Sequence, residues 1–338
     1  DTAPDPADEV ALPELRDSGE TTIGPGTRVR ISGAVDTSSI DVYTVVVEDR
    51  QVVFVGGDPD GCDGAAGLSV IDPAGTTIAA QTACSEPTRI VLAAAGAYHF
   101  EVSASESATY AVLVRGVAGD GDATLTLGEP VEGRIDEDGQ RDVYRLTVVA
   151  GDVLFYEGSR GRDCPDDDTG LVVAFRQDGY DRALFPVCDD AGRVVVTESG
   201  VLEVVVGTSA GGAGRGAYAF RVREVPDDDE FSLADGGRIR VGEPGAGAGE
   251  VEVPGARDLY VVEASEGDDL TITPKGGCDA DDLMLEVLTP SGLTEAAARV
   301  CDGVTAEDLP EDGAYVVRVT SATATAGTGP YDGSVRVG

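Results

Sequence analysis

Two residue types in this chain could carry chemistry by their spacing, cysteine and aspartate. The segment "SRGRDCPDDDTG", residues 159–170, sets Cys164 among Asp163, Asp166, Asp167 and Asp168. A third-copy counterpart, "CDADDL", holds Cys278, Asp279, Asp281 and Asp282, and an earlier one, "DPDGCDG", holds Asp58, Asp60, Cys62 and Asp63. Cysteines among carboxylates can ligate a metal, act in redox chemistry, or close a disulfide at an acidic loop. Zinc is disfavoured, because no CxxC pair occurs and the chain has one histidine, His99. Haem attachment needs CxxCH, which is missing.

The six cysteines instead fall into three matched pairs, Cys62 with Cys84, Cys164 with Cys188, and Cys278 with Cys301. We expect one disulfide per pair and an oxidising compartment. Each second cysteine brings carboxylates of its own: Glu86, Asp189 with Asp190, and Asp302. A bridge would gather both acidic groups, and converging hard oxygens suit Ca²⁺. The candidate ligands are Asp163, Asp166, Asp168, Asp189, Asp279, Asp281 and Asp302, against the plainer reading of solvated turn acids. No copy matches the twelve-residue EF-hand loop.

Catalytic constellations are weaker. "GTSAG", residues 207–211, has the G-x-S-x-G form of a nucleophile elbow, but "GGAGRG" follows where a helix is required. His99 lies in "AYHFEV", where Tyr98, Phe100 and Val102 take the inward face, so it points outward with Glu101. Abundant carboxylates do not make a glycosidase pair. No phosphate-binding Gly loop and no cationic groove are visible. The expectation is a protein that is not an enzyme, with no catalytic residues.

The elements that position these residues come from repetition. "DVY" at 41–43, "DVY" at 142–144 and "DLY" at 258–260 each precede a cysteine pair. Fourteen residues after each second cysteine comes a matching strand, around Tyr98, Leu202 and Tyr315. Each copy then closes on a Tyr-led segment, from Tyr110, Tyr218 and Tyr331. "LGEP" at 127–130 and "VGEP" at 241–244 open copies two and three. Landmarks holding order and spacing mark three homologous modules: 18–122, 123–227 and 228–338, after an N-terminal tail of 1–17. The joints "GVAGDGDA" and "VPDDDEF" are short, so the modules should form a semi-rigid string.

Within a module the hydrophobic period is two: Tyr144, Leu146 and Val148 share a face opposite Arg145 and Thr147. About eight short strands per module predict an all-β chain of three tandem antiparallel β-sandwiches, jelly-roll-like, each pinned by one disulfide. "SGLTEAAARV", residues 291–300, offers at most a minor helix.

The chain of 338 residues carries a formal charge of −39, with one lysine among its basic residues. By segment it is −14 over 1–122, −9 over 123–227 and −16 over 228–338. Such a surface repels phosphate backbones and anionic lipids, so nucleic acid is not an expected partner. No apolar stretch approaches a membrane span. The start "DTAPDPADEV" has the look of a mature N-terminus after cleavage, or of a trimmed chain.

The runs "GEPVEGRID" to "RDVYRLTVVAGDVLFYEG", and "RDLYVVEASEGDDLTITPKGGCDADDLMLEVLTPSG" with "EDGAYVVRV", resemble the bacterial pre-peptidase C-terminal (PPC-type) β-sandwich family. The shared features are the G-E opening, the D-x-Y strand (Asp142 and Tyr144, Asp258 and Tyr260), the G-D turn, and the closing G-x-Y strand with Gly313 and Tyr315. Copy one departs from it, with "EDRQVVFV" at the G-D turn. The resemblance implies a non-catalytic module of secreted or surface proteins, sometimes calcium-stabilised. The paired cysteines are not a general feature of that family.

The expected role is therefore a secreted or cell-surface spacer, adhesion or extracellular assembly component, a filament being one form of such assembly, with an extracellular protein, a polysaccharide or a second copy as partner. The alternative is a carbohydrate- or matrix-binding array belonging to a larger secreted hydrolase. The chain has no Trp, and its few Tyr fall mostly at inward positions, which gives that alternative little support.

Overall fold

The computed structural model describes residues 14–15, 17–58, 61–63, 65–117, 121–158, 170–187, 192–208, 214–275, 282–322 and 326–338. It is all-β among these residues and builds the same two-sheet unit three times.

In the first unit one sheet runs Glu20–Thr22, Ile40–Val47, Gly96–Ala104, Ala66–Ile71, Thr77–Thr82. The second unit repeats that order with Gly121–Thr124, Asp142–Val148, Gly200–Thr208, Leu171–Gln177, Tyr180–Pro186. The third does so with Asp229–Leu233, Arg257–Ala264, Gly313–Ser321, Leu283–Leu288, Thr294–Arg299. In every case the D-x-Y strand lies second and the strand fourteen residues past the second cysteine lies third.

The facing sheets match as well. They run Arg28–Val35, Ala108–Val117, Gln51–Gly57, Thr88–Leu92 in unit one, and Pro130–Ile135, Gly216–Val225, Val153–Gly158, Gly192–Val195 in unit two. In unit three they are Arg238–Ile239, Gly333–Val337, Leu270–Pro274, Val304–Ala306. Identical strand order in three units is what a duplicated module requires.

The pairing is antiparallel except for the opening strand of each unit and one further short strand in unit one. The opening strand pairs parallel to the D-x-Y strand, as Glu20–Thr44, Gly121–Asp142 and Asp229–Asp258. Between the two, the chain crosses to the facing sheet and returns, and two reversals restore the original direction. In unit one the short strand Glu14–Leu15, within the expected tail, also pairs parallel to Arg28–Val35. Residues 294–299, weighed for a minor helix, are a strand paired with Leu283–Leu288.

Burial follows the period-two reading. Gly96–Ala104 alternates with Tyr98, Phe100 and Val102 inside. Each unit has its own core: around Ile31, Tyr43, Phe100 and Val112 in the first, Tyr156, Phe175 and Phe220 in the second, Tyr260, Leu285 and Tyr315 in the third. The matched glycines Gly96, Gly200 and Gly313 open the third strand of each sheet at φ of +142°, +153° and +137°, a region open mainly to glycine. That explains the glycine of the repeated G-x-Y segment.

Candidate functional site

The repeated residues D-x-Y and the closing tyrosine meet inside each sandwich. In unit one the Tyr43 and Tyr110 hydroxyls are 2.6 Å apart, and Tyr110 donates to Asp41 Oδ2 at 2.5 Å. In unit two the Tyr144 and Tyr218 hydroxyls are 2.7 Å apart and Tyr218 donates to Asp142. In unit three the Tyr260 and Tyr331 hydroxyls are 2.8 Å apart and Tyr331 donates to Asp258. In units one and two strands of opposite sheets supply the two tyrosines, so the cluster ties the layers together; in unit three Tyr331 sits just before Gly333–Val337 of the facing sheet.

A glycine admits the second tyrosine. Gly33 and Gly133 lie opposite Tyr110 and Tyr218 in the register, and a Cβ at Gly33 would stand 2.6 Å from the Tyr110 hydroxyl. In unit three Gly249 takes this place, and its N–H reaches Tyr260 Oη at 2.9 Å and Asp258 Oδ2 at 3.2 Å. Burial pushes the Tyr110, Tyr218, Tyr260 and Tyr331 hydroxyls above the ordinary phenol range. Asp258 is 1% exposed. Its burial pushes the carboxyl up to about 6, and the hydrogen bonds from Tyr331 and Tyr260 only partly oppose this. In unit three Asp258, Tyr260 and Tyr331 are all buried, whereas Asp41, Asp142 and Tyr144 of the other units are half-buried.

The predicted bridge Cys62–Cys84 is formed, with a Cα–Cα distance of 5.8 Å. Cys301 is also disulfide-bonded; Cys278, Cys164 and Cys188 lie outside the described residues. So do Asp163, Asp166, Asp168, Asp189, Asp279 and Asp281 of the calcium set. Asp302 is exposed. In copy one, Asp58 pairs with Arg30 at 3.2 Å and Asp63 is exposed. Residues 209–211 of "GTSAG" are outside the described residues, while His99 is half-buried with Thr44 Oγ1 at 3.4 Å.

The joints between units are a second repeated arrangement. Phe54, 5% exposed on the outer face of Gln51–Gly57, packs with Val52 and Val117. Its ring meets Gly139, where an added Cβ would lie 2.6 Å from Phe54 Cδ2. Gly139 begins G-Q-R-D-V-Y of unit two. At the next joint Phe155, with Val153 and Val225, packs into the core cluster of unit three, and a Cβ on Gly255 would lie 2.6 Å from Phe155 Cδ2. Gly255 begins G-A-R-D-L-Y of unit three. Both glycines have positive φ, +82° and +85°. One device makes both joints: a phenylalanine flanked by valines receives the glycine turn that precedes the next D-x-Y strand.

Charge secures the first joint. The Arg115 guanidinium lies 5.4 Å from the Phe54 ring centre and donates to the Asp138 main-chain oxygen at 3.0 Å and its carboxylate at 3.2 Å. Arg215 donates to the same carboxylate at 2.7 and 2.9 Å. The Arg215 bond, ahead of its charge and that of Arg115, holds Asp138 below the usual carboxylate range. At the second joint Arg193 donates to Asp228 at 2.7 Å.

No family model matches the chain, and no curated protein matches it. Among solved structures it overlaps the CUB1-EGF-CUB2 domain of human MASP-1/3 at 8% identity, covering 92% of this chain and 99% of that one, with a TM-score of 0.23. A triple jelly roll protein of an archaeal virus overlaps at 10% identity over 93% and 89%, with a TM-score of 0.18. The M60 catalytic domain with two CBM51 domains from Clostridium perfringens ZmpB overlaps at 9% identity over 91% and 34%, with a TM-score of 0.16. At such scores the likeness carries neither a family nor a function.

Proposed function

We propose that this chain is a non-catalytic spacer or adhesion module array of the secreted or cell-surface kind, in which three sandwiches are held in a set relation by their joints. The observation that supports this reading best is the use of one docking device at both joints. Flexible linkage would not need a buried phenylalanine, a positive-φ glycine turn and an arginine–carboxylate clasp. The Cys62–Cys84 bridge fits an oxidising compartment. The PPC-type resemblance points the same way, and the calcium ligands proposed from the cysteine loops would stiffen those loops further.

A carbohydrate-binding array would need exposed aromatic platforms. Among the described residues Tyr180, 72% exposed, is the exposed large aromatic, which favours the spacer. The test is protease shaving of intact cells that make the protein, with non-reducing mass mapping of what is released. Release from intact cells with bridged cysteines is expected. Retention in the cytoplasm with free thiols would overturn the reading.

A further inference from the structure

The two joints share a device, but the units do not share it equally, and strand register makes the comparison exact in position. Phe54 lies opposite Arg115 on one neighbouring strand and Arg89 on the other. Phe155 lies opposite Arg223 and Arg193 in the same way. The corresponding residue of unit three, opposite Arg336 and Thr305, is Thr271. Val52 faces Val117 and Val153 faces Val225; the matching pair in unit three is Asp269 with Gly338, joined by two main-chain hydrogen bonds of 3.0 and 3.1 Å. The receiving face thus reads Val, Phe, Val in units one and two, and Asp, Thr, Gly in unit three. Asp269 is exposed, and Thr271 bonds Thr305 at 3.2 Å.

The entering turn shows the opposite asymmetry. Three residues before the motif aspartate stand Gly139 and Gly255 in units two and three, and Ser38 in unit one. One residue before it stand Arg141, Arg257 and Ile40. Ser38 donates its N–H and its hydroxyl to the Asp36 carboxylate, both at 2.8 Å, and residues 36–40 are all exposed.

We propose that the array is closed against copies of itself: unit three lacks the face that receives a turn, and unit one lacks the turn that would enter it. A head-to-tail contact that repeats without closing yields filaments, and a unit face that is polar where the joint is apolar does not propagate one. Here a second copy meets the Asp269 carboxylate where the joint needs a valine; that carboxylate accepts the Asp308 N–H at 3.0 Å, and covering its charge with apolar surface costs desolvation. On the other side a Ser38 side chain occupies the space where a glycine lies against the ring. This inference concerns assembly and does not rest on the proposed extracellular role.

The experiment moves each closed end into a working joint, where tethering supplies a high effective concentration. Val153→Asp with Phe155→Thr places the face of unit three on unit two. Gly255→Ser with Arg257→Ile places the turn of unit one on unit three. In the full chain, hydrogen exchange over residues 250–257 should quicken roughly tenfold or more in each variant, with the core strands Gly200–Thr208 and Gly313–Ser321 as protected as before. Phe155→Ser alone is the milder variant should the double substitution disturb unit two, and it should give the same quickening. Exchange unchanged in either transplant would mean the moved end is competent to dock, and would overturn the proposal. Wild-type chain in molar salt, where its −39 charge is screened, should sediment as one species; end-to-end oligomers there would overturn it too.

Discussion

Unit three should become more stable as the pH falls from 7 toward 4, and Asp258 should be the reason. Its carboxyl titrates at about 6 in the folded chain against 3.8 when free of its surroundings. The folded state therefore takes up this proton first, and stability rises while the folded group protonates and the unfolded one has not yet done so. At about 1.4 kcal/mol for each pH unit of that window, the effect comes to roughly 3 kcal/mol. Above pH 6 the buried carboxylate is a penalty that unit three carries. Acid also relieves the repulsion of the −39 charge, so wild-type data alone would not separate the causes. Asp258→Asn does, since an amide keeps an acceptor for Tyr331 and cannot titrate. The assay is hydrogen exchange of Gly313–Ser321 in both proteins at each pH, because intrinsic exchange rates cancel in the ratio. Wild-type protection should gain on the variant by about two decades between pH 7 and pH 4, while Gly200–Thr208 of unit two shows no such difference. Parallel curves would refute the argument that burial, more than the tyrosine hydrogen bonds, governs this carboxyl.

Gly133→Ala should destabilise unit two by about 1–3 kcal/mol, as overpacking against the Tyr218 ring, read by chemical denaturation followed through tyrosine near-UV dichroism. Reducing Cys62–Cys84, which closes 22 residues of sequence, should cost unit one about 3 kcal/mol by the loop-entropy argument and lower its melting transition alone. Phe155→Ala should separate the melting transitions of units two and three, since it removes coupling between repeats, and should lower that of unit three more than that of unit two, because the ring joins the core cluster of unit three. Coincident transitions in that variant would show that the joint does not depend on the ring.

The longer strands were legible because a half-buried strand must alternate. Leu283–Leu288 and Gly96–Ala104 announce themselves by that period, and matched landmarks place them in three units. The expected eight or so per module fell short of the ten, nine and eleven among the described residues, because short pairings such as Glu14–Leu15 and Gly329–Pro330 carry no period. The Asp–Tyr–Tyr clusters were not legible in the same way. Asp41 with Tyr43 and the distant Tyr110 were each visible as landmarks, yet their meeting depends on how two sheets face each other, which period two does not encode. The parallel opening strands escaped notice for a related reason: the direction of Glu20–Thr22 depends on where the chain crosses, and not on its own residues. The bridge Cys62–Cys84 was legible from its place in a matched series, of which Cys164, Cys188 and Cys278 lie outside the described residues.

The joints did leave a trace in the sequence, in the places where alternation fails. "QVVFVG", residues 51–56, is buried at every position, and "VLFY", residues 153–156, is buried at three of four. A run of apolar residues without alternation means both faces of the strand are covered. One face belongs to the sandwich core and the other to the next unit. "LTIT", residues 270–273, alternates, with Leu270 and Ile272 buried and Thr273 exposed. The failure of period two in units one and two, and its return in unit three, is the signature of a face that receives a neighbour against one that does not. A strand departing from the local rule thus points to the contact that the rest of its unit cannot explain. The same logic accounts for Arg115: a cation 6% exposed in so acidic a chain has its reason at the joint, in Asp138 of the neighbouring unit.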